Sequence, residues 1–414
     1  MSIKTVVKKL IGDKTIQTVR NNLLLMKHIG KPNVEGEPVK VIHQKGYHIF
    51  FGYYDYLQFS EDNTKVLFHK VPINADPLRD DAVICYYDLT EDKMVEITKT
   101  ASWCWQQGAR LSWIPNSNEE ILYNDIIDCS YVCIRYNITT GEKKVYPVAL
   151  YDFECGLNYG LSLNFSRLQR LRPGYGYLRI PDCTAQEKAP SDEGVFKLDF
   201  ATGEKSQLVS LAELAKSVDG EEPFTHYINH ISISPAGTKF SYFHLWVDNN
   251  NKWYSKLYVC NNDGTDNHVV EGDCKVSHYA WKDDDHLLVT CYQGSKQFYE
   301  LIDVNDGSKQ ILPHKCLDKD GHPSFIESEL FITDTYPLED SMQELFVCNL
   351  NQIDAKKTIV RVFHHPFLTG EKRCDLHPRL SNDKKQVCID TTAYTRTRSC
   401  MILKTRKEEG LYHD

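Results

Sequence analysis

Short strand-like segments recur along this chain, and each is closed by one of two kinds of polar turn. The first kind lies between two strands, at SEDN (60–63), SPAG (234–237), KDDD (282–285) and SNDK (381–384). The second kind ends a strand one hairpin later, at DLTED (88–92), NITTGE (137–142), DFATGE (199–204) and DVNDGS (303–308). An alternation with a spacing of tens of residues is typical of a propeller or solenoid array. A four-stranded blade needs about 40 to 50 residues, so leucine-rich and hexapeptide repeats are excluded.

One position in this pattern makes the period of the repeat measurable. It lies three residues before the apolar or aromatic anchor that precedes the first kind of turn, and it is occupied by Tyr56, Arg110, His230, His278, His322 and His377. Apart from one interval of about twice the length, these positions are roughly 44 to 55 residues apart, the length of a blade with loop insertions. The spacing therefore predicts an all-β fold, a seven-bladed β-propeller, whose third blade uses the segment 158–177.

The last blade lacks a strand at the C-terminal end of the repeats. A ring of blades must close, because an open end would leave an unpaired edge strand. We therefore expect residues 39–44 (VKVIHQ) to supply the closing strand by pairing with residues 399–404. The propeller then spans residues 37–406, and residues 407–414 form a tail.

Residues 1–36 stand outside the predicted ring and are basic. They contain seven Lys and Arg residues, and their apolar residues at helical spacing are Ile3, Val6, Val7, Leu10 and Ile11. This pattern predicts an amphipathic helical extension. It either packs on the outside of a blade or makes a peripheral contact, through residues 1–31, with a membrane surface or a partner.

Composition and motif content exclude several classes of protein. With 414 residues, 41% of them hydrophobic, and a net charge of −9, the chain can bury a core but has no overall electrostatic case for binding nucleic acid. No apolar run reaches the roughly 20 residues of a membrane-spanning helix, and no signal peptide is recognisable. Phosphate-binding glycine loops and serine nucleophile elbows are also absent from the sequence.

The 14 cysteines contain no Cys-x-x-Cys pair. Five of them fall inside apolar strand-like runs, namely Cys85, Cys133, Cys260, Cys348 and Cys388. With no export signal, we interpret them as reduced, buried thiols that act as small hydrophobic side chains. The sequence therefore predicts a cytoplasmic protein.

Histidines occupy the register position in four consecutive blades. The innermost strands of a propeller start near the same end of the central channel, so these side chains should converge although they are far apart in sequence. Neutral imidazoles around one point suit a divalent transition metal. We predict a metal site formed by His278, His322 and His377 with Asp375 or His230. The alternative is that each histidine merely caps its strand by bonding a neighbouring blade's backbone.

Aromatic, arginine and glutamine side chains are predicted to dominate the other half of the channel mouth. The residues assigned to substrate binding are Tyr56, Trp105, Gln107, Arg110, Arg167, Arg172 and Arg373. Apolar ring faces stack on sugars, and guanidinium groups bind carboxylates through two hydrogen bonds. The pattern therefore predicts an acidic oligosaccharide or polysaccharide as the partner, and no nucleic acid.

The histidine motifs resemble those of the oligogalacturonate lyase family. The segments that carry the resemblance are HYINH (226–230), VSHYAW (276–281), DGHPSF (320–325) and CDLHPRLS (374–381), and FFGYYD (50–55) resembles a motif of ulvan lyases. The resemblance covers roughly residues 40–400, mostly as a repeat pattern. It implies a propeller that holds manganese through histidines and a glutamine and cleaves a uronate-containing chain by β-elimination.

When the motifs are matched one by one, the resemblance implies that His278 and His377 are metal ligands. The family's second histidine is Asp375 here and its glutamine falls near Lys372, so zinc stays open beside manganese. The family's base-bearing histidine matches His226 or His230.

Elimination itself requires that the uronate carboxylate be neutralised by a metal or an arginine, while a histidine removes the C5 proton. Tyr54 and Tyr175 are the candidates to protonate the leaving oxygen. The sequence favours a metal-dependent lyase of this kind. Two alternatives stay open, namely a non-catalytic glycan- or protein-binding propeller associated with polysaccharide assembly, and a hydrolase or transferase using the same metal pocket.

Overall fold

Seven antiparallel sheets follow one another along the chain and form a seven-bladed β-propeller. The computed structural model of the protein describes residues 13–218, 224–250, 252–313, 315–352 and 356–405. Five blades are built from consecutive strands, and the other two each receive a strand from the N-terminal segment. The predicted fold class is confirmed.

The strands of the first three blades are each given from the innermost outward. Blade one contains β3 (Tyr47–Phe50), β4 (Lys65–Pro72), β5 (Ala82–Asp88) and β6 (Lys93–Thr100). Blade two contains β7 (Ser112–Trp113), β8 (Glu120–Ile127), β9 (Ser130–Asn137) and β10 (Lys143–Tyr146). Blade three contains β11 (Asp152–Phe153), β12 (Tyr159–Ser162), β13 (Gly194–Asp199) and β14 (Lys205–Ser210).

The remaining four blades carry the register histidines. Blade four contains β15 (Thr225–Ile233), β16 (Lys239–Val247), β17 (Trp253–Asn261) and β18 (His268–Glu271). Blade five contains β19 (Lys275–Trp281), β20 (His286–Gln293), β21 (Lys296–Asp303) and β22 (Lys309–Ile311). Blade six contains β23 (Ser324–Glu327), β24 (Leu330–Asp334), β25 (Met342–Asn349), β26 (Lys356–Phe363) and the added β1 (Val34–Glu35). Blade seven contains β27 (Arg379–Leu380), β28 (Gln386–Thr391), β29 (Ser399–Lys404) and β2 (Lys40–Ile42).

In the part of the chain that the structure describes, helices are few and lie outside the sheets. They are α1 (Asp13–His28), α2 (Phe165–Leu171), α3 (Leu211–Lys216) and two 3₁₀ turns at Lys315–Leu317 and Gly370–Lys372. None of the described helices is long and apolar enough to cross a membrane.

The N-terminal segment closes the ring. Strand β2, which lies within the segment 39–44 expected to do so, pairs antiparallel with β29 in the register Lys40↔Ile402 to Ile42↔Cys400. Ile42 is fully buried there against Phe59 of blade one. An apolar strand paired on one edge and packed between two blades satisfies the edge that the C-terminal strand would otherwise expose.

Removing the closing strand should abolish cooperative unfolding. Deleting residues 1–46 eliminates β1 and β2 and exposes the edge of β29, whereas deleting residues 1–30 keeps both strands. We expect the shorter variant to retain a single sharp transition in a thermal melt followed by circular dichroism. The longer variant should lose that transition, and equal behaviour of the two variants would contradict the closure.

The third blade differs from its prediction. Of the segment 158–177, only the part forming β12 belongs to the sheet; the rest enters an insertion between β12 and β13 that contains α2. Asn164 caps this helix by accepting a hydrogen bond from the backbone N–H of Arg167 at 2.9 Å. Phe165 stacks on Tyr177 with ring centroids 4.4 Å apart, which fixes the insertion on the blade. The insertion carries Arg172 and Tyr175 to the channel mouth.

The N-terminal helix α1 packs on the outside of blade six. Its His28 stacks on Phe363 with a ring separation of 3.7 Å and bonds Asn33 through Nε2 at 2.8 Å. Val19, Leu23 and Met26 are exposed on its outer side, so the membrane contact stays a prediction. The apolar positions Ile3 to Ile11 and the tail 407–414 lie outside the described residues.

The middle strands of the blades are buried on both faces because each blade packs between two others. In β16 every residue from Phe240 to Trp246 is buried, as expected for a strand covered on both sides. Cys85, Cys133, Cys260, Cys348 and Cys388 are buried and free of disulfides, as predicted.

Candidate functional site

The register residues share an irregular backbone. Arg110, His230 and His377 have φ angles of 51°, 49° and 47°, in the left-handed region that non-glycine residues rarely adopt. Strand β15 shifts register between Asn229 and Ser232, and β19 shifts between Val276 and His278. Such bulges redirect side chains and are common beside functional sites. The sequence repeat thus reflects a repeated bulge at the channel.

The structure brings the four register histidines together. The ring centroids of His278 and His322 are 4.0 Å apart, those of His322 and His377 are 4.4 Å apart, and those of His230 and His278 are 6.2 Å apart. The rings come from four consecutive blades. Segments separated by tens of residues therefore meet at one point, as the register predicts.

Three of the four imidazole rings are each oriented by a hydrogen bond at Nδ1. The Nδ1 atom of His278 bonds Asp320 at 3.1 Å, that of His322 bonds Asp334 at 2.8 Å, and that of His377 bonds the carbonyl of Gly52 at 2.7 Å. Only His377 makes the backbone contact that strand capping requires. Acceptors on Nδ1 hold the proton there and leave Nε2 as a lone-pair donor, the usual arrangement behind a metal-bound histidine.

Two of these nitrogens are buried without a partner. The Nε2 atoms of His322 and His377 have no hydrogen-bond partner among the described residues. One ligand atom each from His322, His377 and Asp375 lies within 4.8 Å of the others. Two imidazole nitrogens and a carboxylate oxygen are a donor set suited to Mn²⁺, Zn²⁺ or Fe²⁺. His278 lies beside this triad, in ring contact with His322.

Burial keeps most of these imidazoles neutral. It lowers the pKa of His278, and it lowers the pKa values of His230 and His377 well below the ordinary range; neighbouring imidazoles add to each effect. For His322, burial opposes the charge, but Asp334 outweighs it and raises the pKa. Neutral imidazole is the form that a metal binds and the form that acts as a base.

A cleft with a volume of about 320 Å³ opens beside the histidines. His230 and His278 line it together with Arg172, Tyr175, Trp253, Lys275, Tyr336 and Arg373. The Arg172 guanidinium lies 5.1 Å from the ring of Trp253 and has no hydrogen-bond or ion-pair partner among the described side chains. Three cationic side chains and several aromatic faces therefore surround one opening, which suits an acidic sugar.

Arg373 connects the cleft to the triad. Its Nε donates to Asp375 at 2.8 Å, and its Nη2 donates to the hydroxyl of Tyr175 at 2.8 Å. The Tyr175 oxygen accepts this bond, so the bond does not use the hydroxyl hydrogen of Tyr175. Of the residues predicted to bind substrate, Arg172 and Arg373 line the cleft, as do the predicted catalytic residues His230 and Tyr175.

Two arginines predicted to bind substrate are instead structural. Arg110 is 3% exposed and forms a two-bond ion pair with Asp55 at 3.0 and 2.8 Å, while its Nε donates to Tyr151. Arg167 is equally buried and donates to the backbone carbonyls of His226 and Lys188, each at 2.7 Å. Because these internal acceptors take up their donors, neither guanidinium faces a ligand.

Three further residues that were predicted to bind substrate lie in the protein interior. Trp105 packs against Trp103 with ring centroids 5.1 Å apart. Gln107 donates to the hydroxyl of Tyr151 at 2.6 Å, and Tyr56 donates to the Tyr151 carbonyl at 2.8 Å. All three side chains are buried by these contacts, and none of them lines the cleft.

Two of the predicted catalytic residues also lie outside the cleft. His226 is fully buried, and its Nδ1 is 2.8 Å from Nε2 of His244. Tyr54 donates to the carbonyl of Tyr279 at 2.8 Å. Of the two histidines between which the motifs leave a choice, His230 is the one that lines the cleft.

Sequence reasoning missed five residues of the site. They are Trp253, Lys275, Asp320, Asp334 and Tyr336. Asp320 had a signal, because Asp320-x-His322 repeats the spacing of Asp375-x-His377, which puts both carboxylates two residues before a register histidine. Asp334 ends β24, and Trp253 begins a strand at the outer part of another blade, so no register relation pointed to them.

Substitution of a structural arginine and of a cleft arginine should change the free energy of unfolding by different amounts. Arg110→Met removes the ion pair with Asp55 and the hydrogen bonds to the buried Tyr151 carbonyl, and it should lower the free energy of unfolding by about 1–3 kcal/mol. Arg172→Ala, in the open cleft, should change it by less than about 0.5 kcal/mol. Urea unfolding of both variants measures this difference, and equal values would contradict the assignment.

The fold and the site define a seven-bladed propeller with a histidine cluster and a cationic cleft at one end of its channel. Among solved structures, the chain is similar to an oligogalacturonate lyase in complex with manganese, with a TM-score of 0.64 and 13% identity, over 90% of this chain and 98% of that one. An oligogalacturonate lyase from Vibrio parahaemolyticus gives 0.62 and 11%, over 91% and 97%. The tricorn protease gives 0.50 and 10%, over 85% of this chain and 34% of that one.

No protein-family model matches the sequence, and no curated protein matches it either. At these identities the structural likeness establishes a shared fold alone. The resemblance to oligogalacturonate lyases seen in the motifs is confirmed at that level.

Proposed function

We propose that the protein is a metal-dependent lyase that cleaves a uronate-containing oligosaccharide or polysaccharide by β-elimination in the cleft. The observation that carries the proposal is the pair of unpartnered Nε2 atoms of His322 and His377 beside Asp375, next to an opening lined by three cationic side chains. Similarity in fold to oligogalacturonate lyases, one of them in complex with manganese, supports it.

His322, His377 and Asp375 would hold the metal, with His278 beside them. When bound, a divalent cation supplies Lewis acidity that stabilises the charge building up on the substrate carboxylate. Manganese is the proposed ion because of the likeness to the manganese-bound lyase. The two nitrogens and one carboxylate would also accept zinc.

Binding of the sugar falls to the cleft wall. The Arg172 guanidinium is held between Trp253 and Tyr175, at 5.1 and 5.3 Å from their rings, with its donors directed to no described side chain. A guanidinium in this setting can bind a carboxylate through two hydrogen bonds. Lys275 lies 3.6 Å from the centroid of Trp253 and adds a second positive charge. The ring of Trp253 thus holds both cations at the cleft wall.

His230 is the proposed base. It lines the cleft, and burial keeps its pKa well below the ordinary value, so the imidazole is neutral near pH 7. The C5–H bond breaks as the proton moves to the imidazole, and its electron pair forms the C4–C5 double bond. The C4–O bond breaks in turn, and Tyr175 supplies a proton to the leaving oxygen. Arg373 holds the Tyr175 oxygen in place at 2.8 Å.

Ultraviolet absorbance tests this proposal, because elimination creates a conjugated unsaturated uronate and hydrolysis does not. We expect absorbance to rise when the manganese-loaded protein is incubated with uronate oligomers. Binding of oligomers without any rise would instead favour a non-catalytic glycan-binding propeller.

Replacing the guanidinium that binds the carboxylate by an ammonium group should weaken catalysis although the positive charge remains. Arg172→Lys loses one of two charge-assisted hydrogen bonds, worth about 1.5–3 kcal/mol, so kcat/KM should fall roughly ten- to hundredfold. Arg170→Lys, in the last turn of α2 just before Arg172 but paired with Asp182, is the matched control and should behave as wild type. Unchanged kcat/KM in Arg172→Lys would place the carboxylate elsewhere.

A further inference from the structure

Blade five contains a second group of metal-binding side chains, separate from the channel mouth. One ligand atom each from Cys274, Cys291 and Glu300 lies within 4.8 Å of the others. Cys291 and Glu300 stand on the paired strands β20 and β21 and are 0% and 4% exposed, while Cys274, just before β19, is half-buried. The Cys291 sulfur is 3.7 Å from Oε1 of Glu300.

A second carboxylate adjoins this group. Glu271, at the end of β18, is 2% exposed and accepts a hydrogen bond from the backbone N–H of Cys274 at 2.9 Å. It also pairs with Lys309 at 2.6 Å. Lys309 also lies 3.6 Å from the exposed Asp273, and among the described residues no cation forms an ion pair with Glu300. Two thiols and two acids thus face one ammonium group, and buried acidic groups of this density require a proton or a further cation.

We propose that Cys274, Cys291 and Glu300 bind a structural zinc ion. Thiolates are soft ligands that select zinc over manganese, and two sulfurs with a carboxylate fall within the ligand types zinc uses in tetrahedral sites. The fourth position is open to Glu271 or water. This site is independent of the proposed lyase chemistry, because it lies outside the cleft and shares no ligand with the histidine triad.

Such an ion would anchor one wall of the cleft. Cys274 immediately precedes Lys275 and stands four residues before His278, and both of these line the cleft. Ligation would tie the start of β19 to β20 and β21 of the same blade. The ion would therefore fix the strand that carries these two side chains.

Cadmium titration tests the site without any measurement of activity. Cadmium bound to thiolates gives a charge-transfer band in the ultraviolet that histidine and carboxylate ligands do not give. We expect one equivalent of Cd²⁺, added to reduced and metal-stripped full-length protein, to produce this band, and zinc to abolish it by competition. Zinc should also raise Tm in His322→Ala, which lacks a ligand of the other site, and not in a double variant that combines His322→Ala with Cys274→Ser.

Substitution of single residues shows which side chains give rise to the cadmium charge-transfer band. It should disappear in Cys274→Ser and Cys291→Ala and persist in His322→Ala, which lacks a ligand of the other site. Cys316→Ser is the matched control, because Cys316 is also half-buried and its sulfur lies 3.6 Å from that of Cys348. Persistence of the band in both Cys274→Ser and Cys291→Ala would overturn the proposal. So would a Cys274–Cys291 disulfide in the protein as purified under reducing conditions, or no band in reduced wild type.

Discussion

His322→Ala is expected to lose both the metal and the activity of the protein. His322 contributes one of the two buried, unpartnered Nε2 atoms and stands at the centre of the cluster, within 4.4 Å of the rings of both His278 and His377. Loss of an outer partner of a metal ligand costs about 10–100-fold in affinity or activity, so loss of a ligand should cost more. Metal analysis of untagged protein and the rate of elimination measure the two effects.

A buried histidine elsewhere controls for damage to the fold. His244 is 0% exposed and pairs with His226, outside the cleft. His244→Ala should keep its metal and most of its activity although its Tm falls. If His322→Ala retains one equivalent of manganese, or if both variants lose metal alike, the triad is not the binding site.

His230→Asn should reduce kcat by about 10²–10⁴-fold, the usual contribution of a positioned general base. Asparagine tolerates the left-handed backbone of this position, where φ is 49°, so the variant removes the base without straining β15. KM should change little, because the arginines that bind the carboxylate remain. Steady-state kinetics separate these two parameters.

The metal content should be unaffected in His230→Asn, which distinguishes loss of a base from loss of a ligand. His226→Gln is the comparison, since the motifs alone favoured neither histidine. It should retain near wild-type kcat. A large loss in His226→Gln together with normal kcat in His230→Asn would transfer the role of base away from the cleft.

The fold was predictable because its determinants repeat. Polar turns recur in most blades and one register position recurs in six of them, so alignment within the chain revealed both the number of blades and the convergence of His230, His278, His322 and His377. The method failed only at blade three, because the insertion containing α2 interrupts the sheet and hides its register.

Side-chain roles were less predictable because they depend on contacts between distant segments. The register correctly placed Arg110 at the channel, but Asp55 of blade one, 55 residues earlier, occupies its guanidinium. His226 does not share the orientation of His230, because the bulge between Asn229 and Ser232 interrupts the alternation of side chains in β15. Trp253 and Lys275 come from other strand ends, which a single register does not cover.

Cleavage in water labelled with heavy oxygen tests the central claim most directly. Elimination breaks the glycosidic bond without adding water, so mass spectrometry should find products with an unsaturated end and no label beyond that of an uncleaved oligomer kept in the same water. Incorporation of one heavy oxygen at each cleavage would identify a hydrolase and contradict the account. Intact oligomers after incubation with manganese-loaded protein would contradict it equally.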